Sequence, residues 1–304
     1  MINRKAPATS RGRTTRPAYA KINLYLDVLA CREDGFHDLL TVMHSISLHD
    51  DVQVEWFLSD TTEISLRVCG ARLPTDSKNL AYRAAEAFLS KTNQSARLHI
   101  NIRKRLPIAA GLAGGSADAA AVLRSLNELF GYPLDEEEML ALGASLGSDV
   151  PFCMVGGTQI CRGRGELMRP LACGAPLYVV IAKGRERVST PRAFALMDEH
   201  YHRFDGSVVH GGQPEKLYRA VADGRLSSTP FCVYNAFEEV ILPTCPTANA
   251  LREQLLSLGA YAACMSGSGP SVFGLFATIE QARRAAAAIG YHAHVATSVP
   301  ALLP

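Results

Sequence analysis

Apolar and polar positions alternate over residues 18–29, with Ile22, Leu24, Leu26 and Val28 on one face, and this predicts a half-buried strand. Two polar residues, Lys21 and Asn23, stand on its odd-numbered face. A turn-like stretch, Arg32-Glu33-Asp34-Gly35-Phe36-His37, follows it. Further alternation predicts strands near 51–57, at 63–68 and at 98–103. Apolar spacing of three and four residues predicts helices over 77–91, 119–129 and 135–146, the last ending at Gly147. A glycine-rich strand pair is expected from Gly156 onward, and residues 171–176 read as a linker. Beyond it the pattern predicts strands at 177–182, 260–265, 272–277 and 292–297. It places helices at 191–199, 214–222, 235–242, 247–257 and 279–289. Helices and strands mix in both halves without a repeating βα unit. That favours an α+β protein of two domains over a Rossmann sheet or a barrel. The expected division is a basic tail over 1–16, a first domain over 17–172 and a second over 173–304.

Composition changes this picture in three places. No run of 18 apolar residues occurs, so no membrane-spanning helix is expected. Residues 1–16 carry Arg4, Lys5, Arg11, Arg13 and Arg16 with no acid and no apolar stripe, which predicts disorder. Such a leader also fits a transit peptide, but it lacks the apolar core of a secretory signal. The formal net charge is +2, and leaving out the tail's five positive charges makes the remainder mildly acidic. That argues against nucleic acid as a partner. The eight cysteines form no C-x-x-C pair and have no histidine cluster at zinc spacing. They read as reduced, mostly core residues of a cytoplasmic protein.

The densest candidate chemistry lies at residues 106–120, where Gly111, Gly114 and Gly115 separate a predicted strand from a predicted helix. A glycine loop before a helix start suits phosphate, because the backbone can come close and the first-turn N–H groups attract an anion. Ser116 can cap that turn or reach a phosphate or a metal ion. No lysine follows the glycines as a Walker A loop requires, and their spacing is not that of G-x-G-x-x-G. The alternative is a tight turn with glycines for close packing.

Three other stretches accompany the loop: Pro17-Ala18-Tyr19-Ala20-Lys21-Ile22-Asn23-Leu24, Gly147-Ser148-Asp149-Val150-Pro151-Phe152 and Met265-Ser266-Gly267-Ser268-Gly269-Pro270-Ser271. In this order the four resemble the GHMP kinases, small-molecule kinases unrelated to protein kinases. The likeness runs over about residues 17–298. The Lys21-Ile22-Asn23-Leu24, Asp34-Gly35-Phe36-His37 and Ser189-Thr190-Pro191 stretches are most similar to members that act on a cytidine-diphosphate-linked polyol in isoprenoid precursor synthesis.

The resemblance implies transfer of the γ-phosphoryl group of ATP, with Mg²⁺, to a hydroxyl of that polyol. It implies a GHMP-kinase fold with the active site in the cleft between domains. It makes Asp149 the base and Lys21 the cation that neutralises charge on the acceptor oxygen. Pro151 would hold Val150 extended and so stiffen the turn that carries Asp149. For ATP it implies Asn79, Lys104, Pro107, Ala110, Gly111, Leu112, Ala113, Gly114, Gly115 and Ser116. For the substrate it implies Asn23, Phe36, His37, Asp149, Thr190 and Phe194, with the two phenylalanines stacking on cytosine and His37 bonding its edge. Phe36 stands where tyrosine is usual, which keeps the stacking face and loses the phenol. The loop from Ser266 to Ser271 would support the phosphate loop.

Each residue also has a plainer reading. Asp149 fits a helix cap or turn acid, Lys21 a snorkelling surface lysine and Lys104 a solvated strand end. Asn79 fits a helix-start residue, and Phe36 and Phe194 fit core packing. A mevalonate, homoserine or sugar kinase is the nearest competing function, and it would lack the Phe36-His37 turn. A non-catalytic ATP-binding relative should have lost Asp149, Lys21 or the glycines, and all are present.

Overall fold

A computed structural model describes residues 10–201, 213–290 and 293–302. It divides into two compact units. The strands β1 (Arg11–Cys31) and β2 (His37–Leu58) are long enough to give one end to each.

Of the described residues, the first unit contains 10–20, 49–106 and 113–155. Its sheet adds β3 (Glu63–Cys69), and α1 (Leu80–Thr92) leads from there into β4 (Ala96–Arg103). β4 pairs antiparallel with the end of β2 and parallel with β3. Val52, Val54 and Trp56 of β2 and Leu98, Ile100 and Ile102 of β4 are buried, so every second residue faces the core. Trp56 packs on Phe130, ring centroids 5.1 Å apart, and Phe88 packs on the same ring. Above this core lie α2 (Gly114–Leu129), α3 (Glu136–Leu146) and α4 (Val150–Val155). The alanine run 119–121 is buried in α2, and its small side chains suit close packing against α1 and α4.

Of the described residues, the second unit contains 21–48, 107–112, 156–201, 213–290 and 293–302. The first part of β2 pairs antiparallel with β5 (Thr158–Arg162), which pairs with β6 (Leu167–Pro170). A second, antiparallel sheet follows, and its first strand is β7 (Tyr178–Lys183). After α5 (Thr190–Tyr201) and α6 (Pro214–Ala222), the short β8 (Tyr234–Asn235) pairs parallel with β1. α7 (Glu238–Ile241) and α8 (Pro246–Ser257) lead to β9 (Ala262–Met265) and β10 (Ser271–Phe276). α9 (Ile279–Ile289) and β11 (Ala293–Thr297) complete the order β11-β7-β10-β9. Leu26, Val180, Phe237, Leu255, Met265 and Phe276 belong to one buried cluster.

Mixed helices and sheets match the α+β expectation, but four local expectations fail. Residues 11–16 are not disordered; they open β1, where Arg13 pairs with Glu55 and Arg16 with Glu128. The rest of the expected tail, residues 1–9, lies outside the described residues. β2 starts at His37 rather than near 51. Val150 is not held extended: it opens the helix α4, and Pro151 sits in the first turn, where its missing N–H costs nothing. The helix expected over 235–242 is only four residues long, and Asn235 belongs to β8. Among the described residues no helix is long and apolar enough to cross a membrane.

Candidate active site

The glycine loop is built by its neighbours. Gly111 has φ 70°, and a Cβ there would overlap the Ser266 carbonyl oxygen. Ser266 Oγ also donates to the Gly111 carbonyl, at 3.0 Å. The stretch 266–271 therefore supports residues 107–112, as expected. Ala110 and Leu112 are buried, so what they offer a ligand is main chain. Ala113, not Ser116, is the N-cap of α2, at φ 57° and without a side-chain cap bond. Ala109 is also left-handed, at φ 49°. Each such alanine costs about 1–2 kcal/mol, so the loop holds its shape against local preference. Gly115 is exposed, and a Cβ there would meet nothing within 4 Å. Its lack of a side chain serves no internal packing and leaves the first turn open to an incoming group.

Asn79 is the N-cap of α1: its oxygen accepts from Ala81 N and its Nδ2 donates to the Pro74 carbonyl. Lys104 is no solvated strand end. Its side chain is 5% exposed, bonds the Asp50 carboxylate and lies 2.8 Å from Asp118 Oδ2. Burial opposes the charge on Lys104, but the two carboxylates outweigh it and hold its pKa above the usual value. Burial pushes the Asp118 carboxyl up, with the lysine opposing.

Lys21 is 4% exposed, which removes the snorkelling alternative. Its Nζ donates to Asn23 Oδ1 at 2.7 Å, and its backbone N–H donates to the Leu112 carbonyl. Position 23 shares a face with position 21 because strand side chains repeat every two residues. Asn23 Oδ1 also accepts from Gly267 N at 2.9 Å, while its Nδ2 donates to Thr41 Oγ1. Thr41 in turn donates to the Tyr25 carbonyl. The amide of Asn23 thus makes three hydrogen bonds inside the protein, and it orients Lys21.

Asp149, half-buried, precedes α4, and its carbonyl accepts the first i→i+4 bond, from Cys153 N. Gly147 and Ser148 separate it from the end of α3. The carboxylate is therefore carried at the mouth of a short helix, in the first unit, whereas Lys21 lies in the second.

Among the residues expected at the substrate, His37 stacks on Phe194, centroids 4.6 Å apart and planes 19° apart. Phe194 meets the edge of Phe237 at 5.0 Å. His37 Nε2 donates to Asp198 Oδ1 at 2.7 Å. Asp198 follows Phe194 by four residues on α5, so both reach the same side of the helix. Sequence reasoning missed Asp198, although the i,i+4 spacing was there to be read. Phe36 is 51% exposed, and the Arg164 guanidinium lies 4.6 Å from its ring centre. Core packing is therefore excluded for Phe36. Thr190 Oγ1 lies 3.1 Å from Ser268 Oγ, which joins the start of α5 to the 266–271 loop. Asn235, also missed, donates to the carbonyls of Met265 and Gly267 and holds that loop from the other side.

Residues 79–157 match the family model described as GHMP kinases N terminal domain, and residues 215–294 match GHMP kinases C terminal. A 4-diphosphocytidyl-2-C-methyl-D-erythritol kinase of Caldicellulosiruptor saccharolyticus is 38% identical over 88% of this chain and 90% of its own. One of Gloeobacter violaceus is 42% identical over 85% and 84%. The crystal structure of a 4-(cytidine 5'-diphospho)-2C-methyl-D-erythritol kinase superposes with a TM-score of 0.77 at 34% identity, covering 93% of this chain and 98% of that one. Homoserine kinase from Cytophaga hutchinsonii, at 20% identity and a TM-score of 0.72, shares the fold. A buried lysine held by Asn23, an open glycine turn at a helix start and these relatives agree: the chain belongs to the GHMP kinase family, among its 4-diphosphocytidyl-2-C-methyl-D-erythritol kinases.

Proposed function

We propose that the chain transfers the γ-phosphoryl group of ATP to the 2-hydroxyl of 4-diphosphocytidyl-2-C-methyl-D-erythritol. Phosphoryl transfer asks for positioning and charge neutralisation more than covalent help. The N–H groups at the start of α2 bind the phosphates. Asp149 takes the hydroxyl proton, the freed oxygen forms a bond to the γ-phosphorus, and the bond from that phosphorus to the bridging oxygen breaks, releasing ADP. Lys21 balances charge on the acceptor oxygen.

Among the described residues no group of three His, Cys, Asp or Glu could hold a metal ion alone. Mg²⁺ would enter with the triphosphate, and the Ser116 hydroxyl in the first turn of α2 could help to hold it. Bound there, it would neutralise charge on the phosphates. ATP as co-substrate, with eight free cysteines, suits a cytoplasmic setting.

The observation that carries the substrate is the stack of His37 on Phe194, with Asp198 fixing the imidazole. It gives the Asp-Gly-aromatic-His turn an aromatic partner from a distant helix, a setting that suits a flat ring such as a pyrimidine. A coupled assay of ADP release over a panel of alcohols tests the proposal. Turnover should be confined to the cytidyl substrate. Equal turnover of mevalonate or homoserine would overturn it.

A further inference from the structure

Three charged side chains are buried together at the start of α2. Asp50 is fully buried; its Oδ1 accepts from Arg105 N at 2.5 Å and Leu106 N at 2.8 Å, and its Oδ2 from Lys104 Nζ. Lys104 Nζ donates equally to Asp118 Oδ2 at 2.8 Å. Asp118 Oδ1 is buried with no partner among the described residues. Lys104, Arg105 and Leu106 directly precede the glycine loop, and Asp118 directly follows it. The Lys104 ammonium runs beneath Gly114, where a Cβ would stand 3.5 Å from it.

Buried ion clusters are poor sources of stability, because apolar residues of similar volume often do as well. What such a cluster supplies and apolar packing does not is direction. The Lys104–Asp118 bond fixes the strand end to the helix start, and Asp50 anchors that strand end through Lys104 and the backbone of Arg105 and Leu106. Two of the three donors of the ammonium go to the carboxylates, so its charge is balanced within the cluster.

We infer that Asp50, Lys104 and Asp118 are positioning residues, a buried clamp that sets the spacing between the strand end and the helix start and so the affinity for a nucleoside triphosphate. The inference rests on the glycine loop's being the nucleotide site, and it is independent of which alcohol is the acceptor.

Calorimetric titration of ATP into the full chain tests it, since binding is read without turnover. Lys104→Met and Asp118→Asn should each weaken ATP on the order of 10- to 100-fold, the range for displaced supporting groups. The pair together should weaken it no more than either alone. KM for the acceptor alcohol should stay unchanged in both. A neutral variant, Asp50→Asn with Lys104→Met and Asp118→Leu, keeps the fold testable if a single change unfolds it. It should melt near the wild-type temperature while ATP stays weak. If that variant binds ATP normally, the cluster is only structural and the inference fails. If Lys104→Met weakens ATP while Asp118→Asn does not, the lysine touches the nucleotide directly and the inference also fails. The expected losses of ATP affinity, in a chain that phosphorylates no cytidyl substrate, would sink the proposed function alone.

Discussion

Gly111 and Ser266 are packed so closely that the glycine's hydrogen occupies the only room left beside the serine's carbonyl oxygen. The pair locks the 266–271 loop onto the segment that leads into α2. Gly111→Ala must therefore displace one of them and also adopt φ 70° with a Cβ. It should destabilise the protein by at least about 2 kcal/mol and weaken ATP. Gly115→Ala, which meets no neighbour, should leave the melting temperature within experimental scatter. Gly115→Val should weaken ATP in a folded protein, by crowding the turn. Paired melting and calorimetry separate these outcomes, and unchanged ATP affinity in folded Gly115→Val would make the turn merely structural.

Ala113→Gly tests the strain in the same loop. Ala113 is left-handed at φ 57°, so glycine should relieve about 1 kcal/mol. A lower melting temperature for Ala113→Gly would show that the alanine's methyl contributes more than its backbone costs.

Asp149→Asn should lower kcat by about 10²–10⁴-fold, with both KM values little changed. Lys21→Met should do similar harm. The double variant should cost less than the product of the two, because the groups act as a unit. Near-full turnover in Asp149→Asn would leave it a turn acid, and a loose transition state would then need no base.

His37→Ala should raise KM for the cytidyl substrate far more than KM for ATP. Asp198→Asn should raise the same constant by less, since it frees the imidazole without removing it. Phe36→Tyr should be tolerated because the ring face is kept. A comparable rise in both KM values for His37→Ala would mean that the turn serves the fold in general.

His44 makes stability depend on pH. Its ring nitrogens lie 2.8 Å from Thr158 Oγ1 and 2.9 Å from Ser298 Oγ, and burial pushes its pKa down to about 4 from 6.5. Between those values the unfolded chain holds a proton at His44 that the folded chain does not. The unfolded state is then favoured as pH falls, and the loss from this group should approach about 3 kcal/mol by pH 4. His44→Gln should flatten that part of the curve. Urea unfolding from pH 7 to pH 4 checks it, and identical slopes in the two proteins would refute it.

Much of this was readable because local rules and tertiary structure agree. The helix expected over 77–91 exists with Asn79 as its cap, and Gly111 does lie between a strand and a helix, although α2 starts earlier than expected and takes Gly114 and Gly115 into its first turn. The failures share a cause that sequence periodicity does not carry. Arg13 and Arg16 belong to a strand because Glu55 and Glu128 come beside them from distant elements, although the Arg13 side chain stays exposed. Asn235 leaves the expected helix because its amide bonds the carbonyls of residues 265 and 267, a competing use of a short polar side chain. Lys104 looked exposed because both of its partners lie elsewhere in the chain. Asp198 and Arg164 escaped because neither belongs to a motif; each matters through the one ring it touches.

The oxygen of Asn23 is shared between Lys21 Nζ and Gly267 N–H. Two donors on one acceptor are rivals, so a withdrawal of the Gly267 backbone would strengthen the hold on the lysine, and its return would slacken it. The Asn23 side-chain amide is therefore a built-in gauge. Its nuclear resonance, read in an isotope-labelled chain, should move whenever the 266–271 loop shifts.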